Sequence, residues 1–360
     1  MLDWLADPRH ADLCAALSKR RRWLVTGAAG FIGSNLVEVL LLLGQEVRGL
    51  DNFSTGRRSN FDDVRHRIGE DRWAAFECIE GDIRDLETCR RAIDGVDIVL
   101  HQAALGSVPR SVSDPLSSFA SNVGGFLNIF EAARSGGRLR IVYASSSSVY
   151  GDEPALPKRE AKIGRPLSPY AATKYIDEVI ADVMCRTYGL GSVGLRYFNV
   201  FGPRQDPEGP YAAVIPKWIA RMLAGERVEI YGDGETSRDF CFVANTVQAN
   251  LRAALIGFDD MHRVYNVALG GRASLNDLFA AIRDGLAGLG HPYAGEPLYR
   301  NFRPFDVRHS QADVSAIIEG IGFVPQVDLA EGIARTLAWY VDASEGDVAP
   351  VERAARASAG

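Results

Sequence analysis

Eight residues near the start of the chain, Thr26 to Gly33, read T-G-A-A-G-F-I-G and place Gly27, Gly30 and Gly33 three apart. They stand between a short apolar run, WLV, and a longer one that ends at Leu43. A strand that passes through glycines straight into a helix lets backbone close on a phosphate. The first helical N–H groups there lack partners, and the helix dipole is positive at that end. The third glycine lets the helix pack tightly on the sheet. A tight strand-to-helix turn alone would read the same way, so the context decides. The next apolar run ends in Leu50-Asp51, and Asp51 lies 24 residues after Gly27. A carboxylate at that offset accepts hydrogen bonds from the adenosine ribose of a dinucleotide. Strand, glycines, helix, strand and acid in that order predict a dinucleotide site. The charge of Asp51 would repel a 2′-phosphate, which favours NAD over NADP even with Arg57 and Arg58 nearby.

The pattern continues. WLVTG, EVRGLD, FECIEGD, VDIVLHQAA, RIVYASSS and VGLRYFNV follow one another, each separated from the next by a helix-length segment or a polar loop. Such alternation implies a parallel sheet of βαβ units, whose strands are buried on both faces. The expected fold is α/β, a Rossmann-type doubly wound parallel sheet with a smaller mixed α/β C-terminal substrate domain. Residues 20–200 and a returning segment near 240–268 (with RVYNVALGG as one more strand) would form the NAD-binding domain. Residues 201–239 and 269–345 would form the substrate domain, entered through the Pro- and Gly-rich FGPRQDPEGPYAAVIP. That leaves 1–19 as an N-terminal extension and 346–360 as a frayed tail.

Bulk properties exclude several classes. A net charge of −6, from 40 basic and 46 acidic residues, argues against a nucleic-acid grip, which needs a concentrated basic face. The five cysteines, Cys14, Cys78, Cys89, Cys185 and Cys241, form neither a C-x-x-C pair nor a disulfide framework, so no metal is expected and a reducing cytoplasm is. The most apolar stretch, Leu36 to Leu43, is eight residues long and contains Glu38. A membrane span needs about 20. The N-terminus carries Asp, Pro, Arg and His where a signal peptide would be apolar.

A second constellation points to the chemistry. In SPYAATK, Tyr170 and Lys174 stand four apart, on one face of a helix. A phenol with a pKa of about 10 is a poor base at neutral pH. A lysine ammonium beside it, with a cationic nicotinamide above, stabilises the phenolate. Before it comes ASSSSVYG, Ala144 to Gly151, at the end of an expected strand, where ligand sites of open α/β sheets lie. Strand alternation would send Ser146 and Ser148 one way and Ser145 and Ser147 the other. One pair could then reach a substrate hydroxyl and relay its proton to Tyr170.

TGAAGFIG, Asp51, Gly81-Asp82-Ile83, His101-Gln102-Ala103-Ala104, SSSSVYG, YAATK and RYFNVFGPRQ together resemble the extended short-chain dehydrogenase/reductases. Within that family the chain resembles the NAD-dependent nucleotide-sugar epimerases from about residue 20 to 345. HQAALGSVPRS, GLRYFNVFG, AAVIPKW and GDGETSRDFC are similar to UDP-N-acetylglucosamine 4-epimerases of bacterial surface-polysaccharide pathways, as is the N-terminal extension. The resemblance implies a homodimer and a UDP-sugar substrate.

It also assigns residues. Phe31 and Ile32 would follow the glycines against the cofactor, and Asn52, Ser54, Thr55 and Gly56 would surround the adenosine ribose with Asp51. Asp82 and Ile83 would flank the adenine, while Gln102, Ala103, Ala104 and Tyr197 would line the NAD pocket. Ser146 would bond the sugar hydroxyl, with Ser147 and Ser148 beside it, and Asn199 would meet the diphosphate. Arg238 and Arg303 would pair with its phosphates and Asp306 with the uridine ribose, although the chain has Arg-Pro-Phe-Asp where the family commonly has R-x-G-D. Ala213, Val214 and Tyr231 would complete the nucleotide wall, and Gly106, Ser107 and Ser310 would surround C2 of the sugar.

The implied activity is transient oxidation at C4 of the sugar, with Tyr170 as the base. Two rivals remain. The family's 4,6-dehydratases carry Asp-Glu or Glu at the position of Ser147-Ser148, and this chain has no carboxylate between Ala144 and Gly151. A non-catalytic NAD-binding regulator would keep the fold but usually loses the Tyr or the Lys, and both are present.

Overall fold

The computed structural model describes residues 2–136, 139–208, 212–256, 261–302 and 307–346. Seven strands make the central sheet: β1 (Arg22–Thr26), β2 (Glu46–Asp51), β3 (Phe76–Glu80), β4 (Ile98–His101), β5 (Arg140–Ser146), β6 (Ser192–Tyr197) and β7 (His262–Val267). Their spatial order is β3-β2-β1-β4-β5-β6-β7, and every neighbouring pair is parallel. The doubly wound parallel sheet expected from the alternation is therefore present.

Side-chain alternation along the strands builds two core layers. In β1, Trp23 and Val25 join one layer while Leu24 joins the other. In β5, Val142 faces the first and Ile141 and Tyr143 face the second. The first layer is covered by the helices Phe31–Leu42 and Val243–Leu255, the second by Leu86–Ile93, Gly125–Gly136 and Pro169–Tyr188. The run Ile98–Leu100 is buried throughout, as a two-sided strand requires. The order reverses between β1 and β4, whose Thr26 and His101 lie in register. At such a switch point the loops part and leave a crevice.

After β6 the chain leaves the sheet. Val200–Phe201 pairs with Cys241–Phe242, Glu229–Tyr231 with Leu298–Arg300, and Ser237–Arg238 with Ala273–Ser274. The helices Val214–Leu223, Leu275–Gly288 and Leu329–Gly346 pack together, with Trp218 and Phe279 meeting edge to face at 6.3 Å. The N-terminal residues are tied down rather than loose. The Ala11–Leu17 helix lies on Val243–Leu255, whose buried Arg252 donates to Arg9 O (2.8 Å), Ile321 O (3.1 Å) and the Asp12 carboxylate (3.1 Å). Beyond residue 346 the tail falls outside the described residues.

Candidate active site

A cleft of about 580 Å³ opens along the carboxyl ends of the strands at the switch point. One bank is the glycine turn. Gly27 has φ +65°, and a Cβ there would sit 2.9 Å from the Ala103 backbone. A Cβ on Gly33 would lie 2.0 Å from Gly27 O, so only glycine lets the Phe31–Leu42 helix approach its own turn. Gly30 occupies the cap position without any side-chain cap, which leaves the first N–H groups facing the cleft. Such a helix N-terminus is suited to an anion such as a diphosphate. Asp51 ends β2 beneath it, accepting from Ala29 N and Phe53 N, both at 2.8 Å. Burial pushes its carboxyl above the ordinary value, and those two N–H groups pull it back. These features fit a dinucleotide.

The other end of the cleft holds Tyr170 and Lys174, carried by a helix whose start is fixed by the Ser168 side chain accepting from Ala171 N and by Pro169 in the first turn. Lys174 Nζ donates to Ala144 O at the end of β5 (2.9 Å) and lies 3.3 Å from the Asp177 carboxylate. Tyr170 N donates to Ser111 Oγ (2.9 Å), which ties the helix to the Val108–Ser113 segment. His101 shares a 2.7 Å hydrogen bond with Thr26, and burial followed by the Lys174 charge pushes it down to about 3, so it stays neutral. Tyr197 donates to Gln102 Oε1 (3.0 Å), fixing that amide at the cleft wall.

Of the residues expected at the cofactor, Gly27, Gly30, Phe31, Ile32, Gly33, Asp51, Asn52, Ser54, Thr55, Gly56, Ile83, Gln102, Ala103, Ala104, Tyr170, Lys174 and Tyr197 all line this cleft. Asp82 does not. Its carboxylate accepts from Arg84 and from Asn52 Nδ2 (2.8 Å), and the Arg84 bond holds it down to about 2. Of the substrate set, Gly106, Ser107, Ser146, Asn199 and Ala213 line the cleft.

The serine alternation needs correcting. β5 ends at Ser146, whose Oγ caps a 3₁₀ turn over Ser147–Tyr150 by accepting from Ser148 N at 3.1 Å. Strand period therefore stops two residues short of Ser148, and Ser147 and Ser148 do not line the cleft, whereas Ala144, Ser145 and Ser146 do. Ser145 is turned inward, donating to Glu178 Oε1 (2.5 Å).

Tyr231, Arg238, Val214 and Ser310 lie off the cleft lining. Arg238 donates to the Ser237 and Arg308 carbonyls (3.0 and 3.2 Å), and Ser310 N donates to Ser237 O (3.0 Å), so these two share one neighbourhood. Asn199 joins it to the cleft, with a positive φ of 33° and its amide on Asp239 O (3.1 Å). Arg303 and Asp306 lie outside the described residues.

Sequence reasoning missed the segment Arg204 to Glu208. Arg204 is buried against Asp63, Asn35 and Glu38, and Asp206 reaches across the cleft to Arg57 at 2.6 Å. It also missed Asp177, whose place three residues after Lys174 on the same helix does not reveal that both are buried. Among the described residues no set of three His, Cys, Asp or Glu is placed to hold a metal ion, and no helix is long and apolar enough to cross a membrane.

Comparison with known proteins agrees with this geometry. The profile of the NAD-dependent epimerase/dehydratase family matches residues 23–268, more than half of the chain. A UDP-glucose 4-epimerase of Mycolicibacterium smegmatis is 40% identical over 326 residues, covering 90% of this chain and all of that protein. A UDP-N-acetylglucosamine 4-epimerase from Methanobrevibacter ruminantium, solved with UDP-N-acetylmuramic acid, superposes with a TM-score of 0.82 at 38% identity, over 90% of this chain and 99% of that one. A Thermus thermophilus UDP-glucose 4-epimerase solved with NAD gives 0.77 at 35% identity, over 91% and 100%.

Proposed function

The chain belongs to the NAD-dependent epimerase/dehydratase family, and from that premise we propose that it is a UDP-sugar 4-epimerase whose preferred pair is UDP-N-acetylglucosamine and UDP-N-acetylgalactosamine. One observation carries the epimerase reading. Tyr170, Lys174 and Ser146 line the same cleft as the glycine turn and Asp51, and no carboxylate from Ala144 to Gly151 enters it. Elimination of water would need such an acid.

The glycine turn and the first turn of Phe31–Leu42 would hold the diphosphate of NAD, and Asp51 its adenosine ribose. Bound NAD supplies a hydride acceptor and donor, so the sugar C4 is oxidised and then reduced with no net redox change. Tyr170 takes the proton of the C4 hydroxyl, directly or through Ser146, and gives it back to the C4 oxygen once the 4-keto sugar has turned over, so that the hydride returns to the opposite face of C4. Lys174, one turn further along the same helix and lining the same cleft, would supply the ammonium that stabilises the phenolate. Asn199, Arg238 and Arg303 are assigned to the UDP diphosphate, and Asp306 to the uridine ribose.

The N-acetyl preference rests on room. A Cβ at Gly106 would meet nothing within 4 Å, and Ser107 beside it offers a hydroxyl that an acetamide can use. Packed pockets yield little, so an open wall decides whether the larger substituent enters. The UDP-hexuronates are the second reading, because Arg110 lines the same cleft and a guanidinium suits a C6 carboxylate. A panel of UDP-sugars tests both. The expected kcat/KM is highest for the N-acetylated pair, and an equal or higher value for UDP-glucose overturns that preference. A highest value for UDP-glucuronate selects the second reading.

A homodimer is part of the proposal. Tyr175, Val179 and Val183 stand four apart on the Pro169–Tyr188 helix and are 38%, 46% and 42% exposed, with Val112 and Leu116 exposed nearby in sequence to Ser111. Sedimentation at micromolar concentration should give twice the chain mass, and Val179→Asp should return it to one. Five cysteines without a disulfide suit the cytoplasm.

A further inference from the structure

The helix Pro169–Tyr188 places three chemical groups in succession on one face: Tyr170, Lys174 one turn later, and Asp177 one turn beyond that. Lys174 and Asp177 are almost wholly buried, with side chains 3% and 0% exposed, and 3.3 Å separates Nζ from Oδ2. The other carboxylate oxygen of Asp177, Oδ1, is buried without a partner. A carboxylate in that position is costly unless it does something for the cation it touches.

The surrounding charges leave that cation as its sole counterpart among the described groups. Glu178, the next residue, is fully engaged by Arg196 of β6 at 2.9 and 2.8 Å and by Ser145 of β5. His101 of β4 is neutral, pushed down by burial to about 3. Tyr143 of β5 is held as a neutral phenol by burial, and His262 of β7 is likewise pushed down by burial. Arg196 is thus matched by Glu178, and Lys174 by Asp177.

We propose that Asp177 is a positioning residue for the Tyr170–Lys174 pair, gripping the ammonium from one turn below and setting the net charge that the pair presents to the nicotinamide end of the cleft. It deepens the reading of Tyr170 and Lys174 as the reactive end, and it is independent of which sugar binds. An ionised Asp177 offsets the lysine charge and so favours a cationic nicotinamide over the neutral, reduced one. A neutral Asp177 leaves the lysine charge unopposed and favours the reduced form. Burial pushes the Asp177 carboxyl up to about 7, against the pull of Lys174, so the change falls near neutral pH.

The test needs no sugar. NADH is exchanged against NAD on the holoenzyme, and the ratio of the two affinities is read from the fluorescence of bound reduced nicotinamide between about pH 6 and 8.5. For the wild type, preference for the oxidised form should grow as pH rises through about 7. Asp177→Asn keeps shape and a hydrogen-bond acceptor but no charge. Its preference for NAD over NADH should be smaller by roughly tenfold at the alkaline end and flat with pH. Asp177→Glu should restore both the preference and its slope. An Asn variant with the wild-type ratio and slope overturns the proposal, as does one that loses affinity for both forms equally, since that is only a structural role. Should the Asn variant not fold, a wild-type ratio that is flat across neutral pH overturns it alone. None of these outcomes depends on UDP-sugar turnover, which is the separate test of the proposed function.

Discussion

Glu178 and Arg196 form a two-point ion pair between the Pro169–Tyr188 helix and β6, with N–O distances of 2.9 and 2.8 Å and exposures of 6% and 4%. The same guanidinium lies 4.9 Å from the ring of Tyr150, and Glu178 also receives the Ser145 hydroxyl. The pair therefore locks the helix that carries Tyr170 and Lys174 onto the strand end that carries the serines. Removing one partner leaves a buried charge without a counterion, a loss of about 3–5 kcal/mol. Glu178→Ala should show that loss in urea unfolding, and Glu178→Ala with Arg196→Met should regain most of it. A single-variant loss below about 1 kcal/mol would mean the pair is solvated and holds nothing.

Tyr170→Phe removes the proposed base and nothing else from the cleft wall. Among the described residues the phenol oxygen makes no hydrogen bond of its own, and Tyr170 N is held by Ser111 whatever the side chain. Turnover should fall by about 10²- to 10⁴-fold, the usual contribution of a positioned acid–base group, with NAD affinity nearly unchanged. Retention of more than half the wild-type rate would show that another group moves the proton.

What the sequence revealed and what it hid divide along a physical line. The glycine turn, Asp51 and the Tyr170/Lys174 face are local: a few adjacent residues contain the whole geometry. The sheet was legible because its strands alternate with helices at short range. Ser147 and Ser148 misled because strand period held only as far as Ser146, whose own hydroxyl caps a turn. The Arg204–Glu208 segment stayed hidden because its place depends on partners about 150 residues away, Arg57 for Asp206 and Glu38 for Arg204. Asp177 was hidden differently. A carboxylate beside a lysine on a helix is normally a solvated pair, and only packing against the sheet reveals that this one is buried.

Asp51→Ala should weaken NAD binding and narrow the gap between NAD and NADP, since the ribose acceptor and its repulsion of a 2′-phosphate go together. The narrowing should be limited, because Arg57 is already engaged by Asp206 at 2.6 Å and, more distantly, by Glu208 at 3.6 Å. Adding Asp206→Asn and Glu208→Gln should release that guanidinium for the phosphate and raise NADP affinity a further few-fold. Isothermal titration of both dinucleotides measures each step. Equal NAD affinity in Asp51→Ala and its parent would contradict the ribose assignment.

The N-terminal residues should loosen in mild acid. His10 is buried against Arg252, at 3.0 Å, and edge to face with Trp4 at 5.1 Å, while its Nε2 has no partner. Burial, then the charge of Arg252, pushes its pKa below the ordinary value. A histidine depressed in the folded state binds fewer protons than in the unfolded one. Its contribution is full above about 6.5 and is lost as pH falls below that. Asp7 does not titrate in this window, because Arg9 holds it down to about 2. Limited proteolysis within residues 2–17 should therefore accelerate between about pH 7 and 5 in the wild type and lose that dependence in His10→Phe. An equal acceleration in both would place the sensitive group elsewhere.

The substrate preference is best challenged at Gly106. A side chain there would enter open space, with nothing within 4 Å of its Cβ, and the residue is not in the left-handed region. Gly106→Lys should accordingly fold with unchanged melting temperature and retain NAD, since no packed neighbour is displaced. Its effect should fall on the cleft alone. A long side chain projecting from this wall competes with the acetamide for the same volume, and overlap in a packed pocket costs more than thermal energy can supply. The expected outcome is a loss of at least tenfold in kcat/KM for the N-acetylated pair, with plain UDP-glucose and UDP-galactose changed far less. Ser310→Tyr provides a second wall, but its backbone is bound to Ser237 outside the cleft lining, so its effect should be the smaller of the two. If Gly106→Lys lowers both substrate pairs equally, the C2 substituent does not face this wall. The N-acetyl preference would then need another origin, while the roles of Tyr170 and Lys174 would stand.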